Sequence, residues 1–183
     1  NYGGGDRTEH HQMPVEECGN MLILVAALAH RTGELDLGET FYPQLETWAE
    51  YLLDNGLDPS NQLCTDDFAG HLARNVNLSL KAIVALGAYA ALAEQAGKLE
   101  VAAEYRTIAA GMADQWMAMA DDGDHYRLTF DTPGTWSQKY NLVWDRLLGL
   151  NLFPPEVARK EIAYYLVQQQ QYGLPLDSRS AYT

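Results

Sequence analysis

The 183-residue sequence predicts an all-α protein built of helical hairpins, forming part (about half) of an (α/α)6 toroid. Three observations carry that expectation. Segments apolar on every side alternate with segments apolar along one stripe. Short links alternate with long polar ones, and the pattern restarts at intervals of roughly 60 residues, near Val15, Asn77 and Lys139. A helix without a polar face must be enclosed by protein, whereas a striped helix has water on one side. Inner and outer helices therefore alternate. Three hairpins in a gentle arc leave the inner helices exposed along the arc's edges, so residues 1–183 read as a single helical domain that is a fragment of a larger toroid.

The first segment, 15–31, runs unbroken through Met21, Leu22, Ile23, Leu24, Val25, Ala26, Ala27 and Leu28, and is the first inner helix. Pro14 suits entry into it. Segment 39–55 places Phe41, Leu45, Trp48 and Leu52 at steps of three and four, the stripe of an outer helix. Segment 77–95 is apolar all round again, through Leu78, Leu80, Ile83, Val84, Leu86, Tyr89 and Leu92. Segment 100–120 returns to one stripe, through Val101, Tyr105, Ile108, Met112, Trp116 and Met119. A shorter inner helix follows over 139–150 and a striped one over 155–171. Strand signals are scarce; "HYRLTF" (125–130) reads as a short extended piece.

The inner-to-outer links "TGELDLG", "QAGKL" and "NLFPP" each hold the Gly or Pro that ends a helix. The outer-to-inner links, 56–74 and 121–138, are long and polar. Because the helices of a hairpin run antiparallel, both long links gather at one end, together with the opening segment and the tail "GLPLDSRSAYT". Loops held by a rigid scaffold are where binding and catalysis concentrate.

Composition removes several classes of partner. With 25 acidic residues against 12 basic, the formal charge is −13. That deficit of clustered Lys and Arg argues against nucleic acid and against docking on an anionic membrane. The apolar run from Met21 to Ala29 is far short of the ~20 residues a bilayer requires, and the later apolar stretch fits a buried helix better. The opening "NYGGGDRTE" reads as the interior of a longer sequence. Two cysteines, Cys18 and Cys64, are too few for a disulfide framework and fit no zinc spacing. They read as free thiols, or as one bridge if their loops meet. "DDGDHY" (121–126) lacks the ligand spacing of an EF-hand and reads as a solvated acidic loop. No motif asks for a metal or a cofactor.

Three clusters fall at the loop end. In "PVEECGN", Glu16 and Glu17 occupy a first helical turn, where free N–H groups and the helix dipole favour acids. Adjacent helical positions point ~100° apart, so one can cap while the other faces a central cavity. In "CTDDFAGHLARN", Thr65, Asp66 and Asp67 suit a turn and cap, followed by His71, Arg74 and Asn75. Arg74 can clamp a substrate carboxylate through paired hydrogen bonds or pair with Asp66 or Asp67. In "DTPGTWSQKYNLVWD", Trp136 can floor a pocket or pack the loop down. Lys139 stands beside it, and Asp145 needs a partner if buried. The tail adds Asp177 and Arg179.

The strings "MPVEECGNMLIL", "TDDFAGHLARNVNLSLKAI", "TPGTWSQKYNLVWD" and "GLPLDSRSAYT" resemble the glutaminase A family of fungi and bacteria, over essentially the whole chain. The resemblance implies a six-hairpin glycosidase-like helical domain, secreted or periplasmic, that hydrolyses L-glutamine to L-glutamate and ammonia. It also implies that the remainder of the same polypeptide closes the toroid. Glu17 and Asp67 are the preferred catalytic pair, with Glu16 and Asp66 beside them. His71, Arg74, Asn75, Trp136, Lys139, Asp177 and Arg179 are the expected substrate-binding set. A carboxylate pair can serve an amidohydrolase, through a general base on water and a general acid for the amine, or a glycosidase acting on a sugar. Cys18 as a nucleophile, with His71 as its base, is a further possibility. A module that binds or scaffolds without catalysis is the non-enzymatic one.

Overall fold

A computed structural model describes residues 12–179; the expected position of the opening segment falls outside them. Among these residues the chain is all-α. Seven helices follow in order: α1 (Pro14–Thr32), α2 (Asp36–Thr40), α3 (Tyr42–Asn55), α4 (Val76–Gln95), α5 (Leu99–Ala120), α6 (Leu142–Leu147) and α7 (Pro155–Gln168). The expected extended piece at 125–130 forms only isolated bridges, Asp121 with Tyr126 and Thr129 with Asn75.

The hairpins are α1 with α3, joined through the short α2, and α4 with α5; α6 packs on α4, and α7 follows it in the chain. α4 is the axis of the packing: every residue from Val76 to Ala90 is buried, against α1, α3, α5 and α6. It is long and apolar enough to cross a membrane by length and composition, but that apolar surface is taken up by the other helices. Asn75 starts it as an N-cap, its side-chain oxygen accepting from the N–H groups of Asn77 (3.0 Å) and Leu78 (3.1 Å). Gly33 ends α1 in the left-handed region (φ 75°), donating its N–H to Ala29, the glycine stop expected in that link. Trp116 of α5 is fully buried and donates its indole N–H to the Val76 carbonyl at 2.8 Å.

Two inner helices are less enclosed than their composition suggests. α1 exposes Met21 (42%), Leu24 (54%) and Leu28 (47%). α6 exposes Val143 and Leu147 and spans six residues, not twelve. Both pack on α4, which covers only the face that each turns toward it. α6 is cut short because buried Asp145 draws the chain back, its carboxylate accepting from the N–H groups of Leu152 (2.9 Å) and Phe153 (3.4 Å). That answers the requirement for a partner. The segment expected as one outer helix over 39–55 breaks at Phe41, and Pro43 then sits in the first turn of α3.

The long links do meet at one end. Leu72 N–H donates to Gln62, Arg74 N–H to Pro59, Phe130 N–H to Arg74, and Val76 N–H to Leu128. The tail lies against the second link: Ser137 bridges Asp177, Gln138 N–H donates to Leu176 and Ser178 N–H to Trp136.

Candidate active site

The first turn of α1 turns Glu16 inward, where it is 3% exposed, and leaves Glu17 exposed. Facing Glu16 is Lys81, the one charged residue in the buried stretch of α4 and itself 4% exposed. Its ammonium pairs with Glu16, donates to Asn20 Oδ1 at 2.8 Å and reaches Thr65 Oγ1 at 3.3 Å. Asn20 returns an N–H to Glu16 at 3.1 Å. Gly19 makes this crossing possible. A Cβ there would lie 2.9 Å from Lys81 Cγ, so only glycine lets the lysine stem pass over α1.

The first long link delivers Thr65 and Asp66 to this pair. The Thr65 hydroxyl donates to Glu16 while the residue remains exposed. Tyr140, from the second long link, donates its hydroxyl to Asp66 Oδ2 at 3.2 Å and also meets the Thr65 side chain. Burial holds the Asp66 carboxyl above the usual aspartate range. The Tyr140 hydrogen bond opposes the shift, and the charges of Asp177 and Glu16 add to it. The site thus holds an ion-paired carboxylate on α1 and, on the first long link, a carboxyl biased toward its protonated form and the hydroxyl of an exposed threonine.

The preferred pair is not the pair that the structure brings together. Glu17 and Asp67 are exposed, and Asp67 begins a short 3-10 turn, Asp67–Ala69; Glu16 and Asp66 face the cluster instead. Arg74 pairs with Asp58 (3.2 Å) and approaches Asp131 (4.0 Å), not Asp66 or Asp67, and so ties the two long links together. Asn75 is spent on capping α4, with its amide N–H reaching Cys64 Sγ at 3.5 Å. His71 is half-buried in the same link.

Trp136 packs the loop down, edge-on to Tyr164 and tilted on Tyr165. Lys139 is enclosed, donating to the carbonyls of Tyr126 (3.0 Å) and Ser137 (2.8 Å) and lying 3.6 Å from Glu161. Burial lowers its pKa to about 8 against the pull of Glu161. Asp177 is buried and takes the Arg179 guanidinium through Nη2 (2.7 Å) and Nε (3.2 Å), while Nη1 reaches Ala69 O. Lys139, Asp177 and Arg179 thus spend these groups on fastening the rim. "DDGDHY" is a clasp: Asp122 accepts from Gly134 N–H and Arg127, and His125 contacts Asp124 and the Thr135 carbonyl. No group of three or more metal-ligating side chains occurs among the described residues.

Lys81, Thr65 and Tyr140 were not anticipated at the site. Lys81 had a signal, since a charge inside a fully apolar helix must have a partner. Thr65 had none beyond turn chemistry. Both cysteines are free. Burial and the adjacent Glu17 push the Cys18 thiol up to about 11, the opposite of what a nucleophilic thiolate requires.

All 183 residues match the family model described as the glutaminase A six helical-hairpin domain. The chain is 37% identical over 187 residues to Glutaminase A of Aspergillus oryzae, covering 100% of this chain and 27% of that protein. It is 33% identical over 174 residues to a protein of Arthroderma benhamiae named "Probable glutaminase", covering 79% of this chain and 20% of that one. The chain therefore spans about a quarter or less of the length of these relatives. With four loop-end motifs, a helical-hairpin scaffold and a match to the six helical-hairpin domain along its whole length, the chain belongs to the glutaminase A family.

Proposed function

We propose that this domain supplies catalytic groups to a hydrolase that converts L-glutamine to L-glutamate and ammonia. The observation that carries the reading is Asp66, a carboxyl raised by burial, bonded to Tyr140 and set beside the Glu16–Lys81 pair. An amide nitrogen leaves only when protonated, and a carboxyl that keeps its proton to higher pH than an ordinary aspartate is suited to supply that proton. In a later step the same group, as carboxylate, can draw a proton from water. Glu16, held by Lys81 and Asn20, is the second acid.

The remainder of the same polypeptide completes the pocket and closes the ring, consistent with the apolar edges of α1 and α6. The family resemblance supports secretion or a periplasmic address.

The test uses the full-length protein. Ammonia release from glutamine falls by ~10²–10⁴-fold in Asp66→Asn, the scale on which general acid–base groups act. Glu17→Gln and Asp67→Asn retain most activity. Release of reducing sugar from a glycan without ammonia would replace this reading with a glycosidase. Turnover of neither substrate with ligand binding intact would leave a binding module.

A further inference from the structure

We propose that Thr65 is the nucleophile of this site, forming a glutamyl ester through Oγ1. The inference rests on the amidase reading above and adds a covalent step to it. Weakly nucleophilic hydroxyls are activated by an adjacent base that a third group holds in place, and Thr65 meets that geometry. Its hydroxyl donates to Glu16, and Glu16 is held by the ammonium of Lys81 and the amide of Asn20. Lys81 also lies 3.3 Å from Oγ1. Behind the hydroxyl, Glu16 and Lys81 are buried, whereas Thr65 itself is exposed. A hydroxyl on an exposed loop residue, bonded to a buried carboxylate that a buried cation orients, is more than a loop tether needs. Burial and the adjacent Glu17 raise the Cys18 pKa, which argues against a thiolate nucleophile there.

The steps balance. As Oγ1 bonds to the side-chain amide carbon of glutamine, its proton passes to Glu16. The C–N bond then breaks, and the nitrogen takes a proton from Asp66 and leaves as ammonia. Water adds to the resulting ester and gives its proton to the Asp66 carboxylate. The C–Oγ1 bond breaks, and Oγ1 recovers its proton from Glu16. The sum is glutamine plus water to glutamate plus ammonia, with both acids returned to their starting states.

The test again uses the full-length protein. Acid-quenched wild type incubated with glutamine carries a glutamyl adduct on the peptide containing Thr65. Hydroxylamine present during turnover diverts product to the γ-hydroxamate. Thr65→Ala loses ammonia release by roughly 1,000-fold or more, the scale on which loss of a nucleophile acts, and Thr65→Ser restores a measurable rate. Thr65→Ala retaining a third or more of wild-type activity would overturn the nucleophile, as would wild type turning over without adduct or hydroxamate. In both cases ammonia is still released and the amidase reading stands. Wild type releasing no ammonia removes that reading itself. Should Thr65→Ala not fold, the wild-type adduct decides alone.

Discussion

At the scale of single residues, the site contrasts two neighbouring acids in each of two places. Glu16 and Asp66 turn inward; Glu17 and Asp67 turn out. Residue types and their spacing made both pairs legible, but not the choice within each pair. That choice depends on where Lys81 and Tyr140 arrive, from positions distant in the chain. The raised pKa of Asp66 has a thermodynamic consequence. Its native carboxyl holds a proton more tightly than the unfolded one, so stability falls as pH rises from the unfolded pKa through the higher folded one. Asp66→Asn removes that loss. Thermal unfolding at pH 7 should give a Tm equal to or above wild type in a variant that no longer releases ammonia; a clearly lower Tm would mean that Asp66 is structural. Lys81→Met leaves Glu16 buried without its cation and should cost about 3–5 kcal/mol in denaturant unfolding. Adding Glu16→Leu should return most of that loss.

At the scale of elements, the helices were written plainly in apolar periodicity, and three of the six segments, those that form α1, α4 and α5, begin and end within one residue of the reading. The departures have local causes: Pro43 restarts the second segment as α3, and Asp145 ends α6 early. Close packing adds constraints that periodicity does not carry. A Cβ on Gly56 would lie 2.5 Å from the Leu52 carbonyl oxygen and 2.6 Å from Ala82 Cβ. Gly56→Ala should therefore lower stability by about 1–3 kcal/mol, although its backbone angles suit any residue. The strap formed by Lys139, Glu161 and the tail carries its own pH signature. The native ammonium titrates near 8 rather than 10.5. The native state therefore binds fewer protons than the unfolded one across that window, and this group's contribution to stability rises with pH there. Urea unfolding between pH 8 and 10.5 should lose that component in Lys139→Met.

At the scale of the whole molecule, apolar surface is left on α1, α6 and α7, and closing the partial ring, as proposed above, would cover it. Leu24 and Leu28 lie on α1, Val143 and Leu147 on α6, with Ile162, Leu166 and Val167 exposed on α7. An isolated 1–183 segment should self-associate at micromolar concentration in light scattering, whereas the full-length protein should not. A monodisperse monomeric segment would show that these faces need no cover. The arrangement of Lys81 across Gly19 also makes the site a gauge of how α1 and α4 are registered. Sliding one helix past the other by a single residue, ~1.5 Å, would offset the Lys81 ammonium from the Glu16 carboxylate. Anything that shifts those two rods lengthwise would therefore alter what the Thr65 hydroxyl is bonded to without touching the loop that bears it.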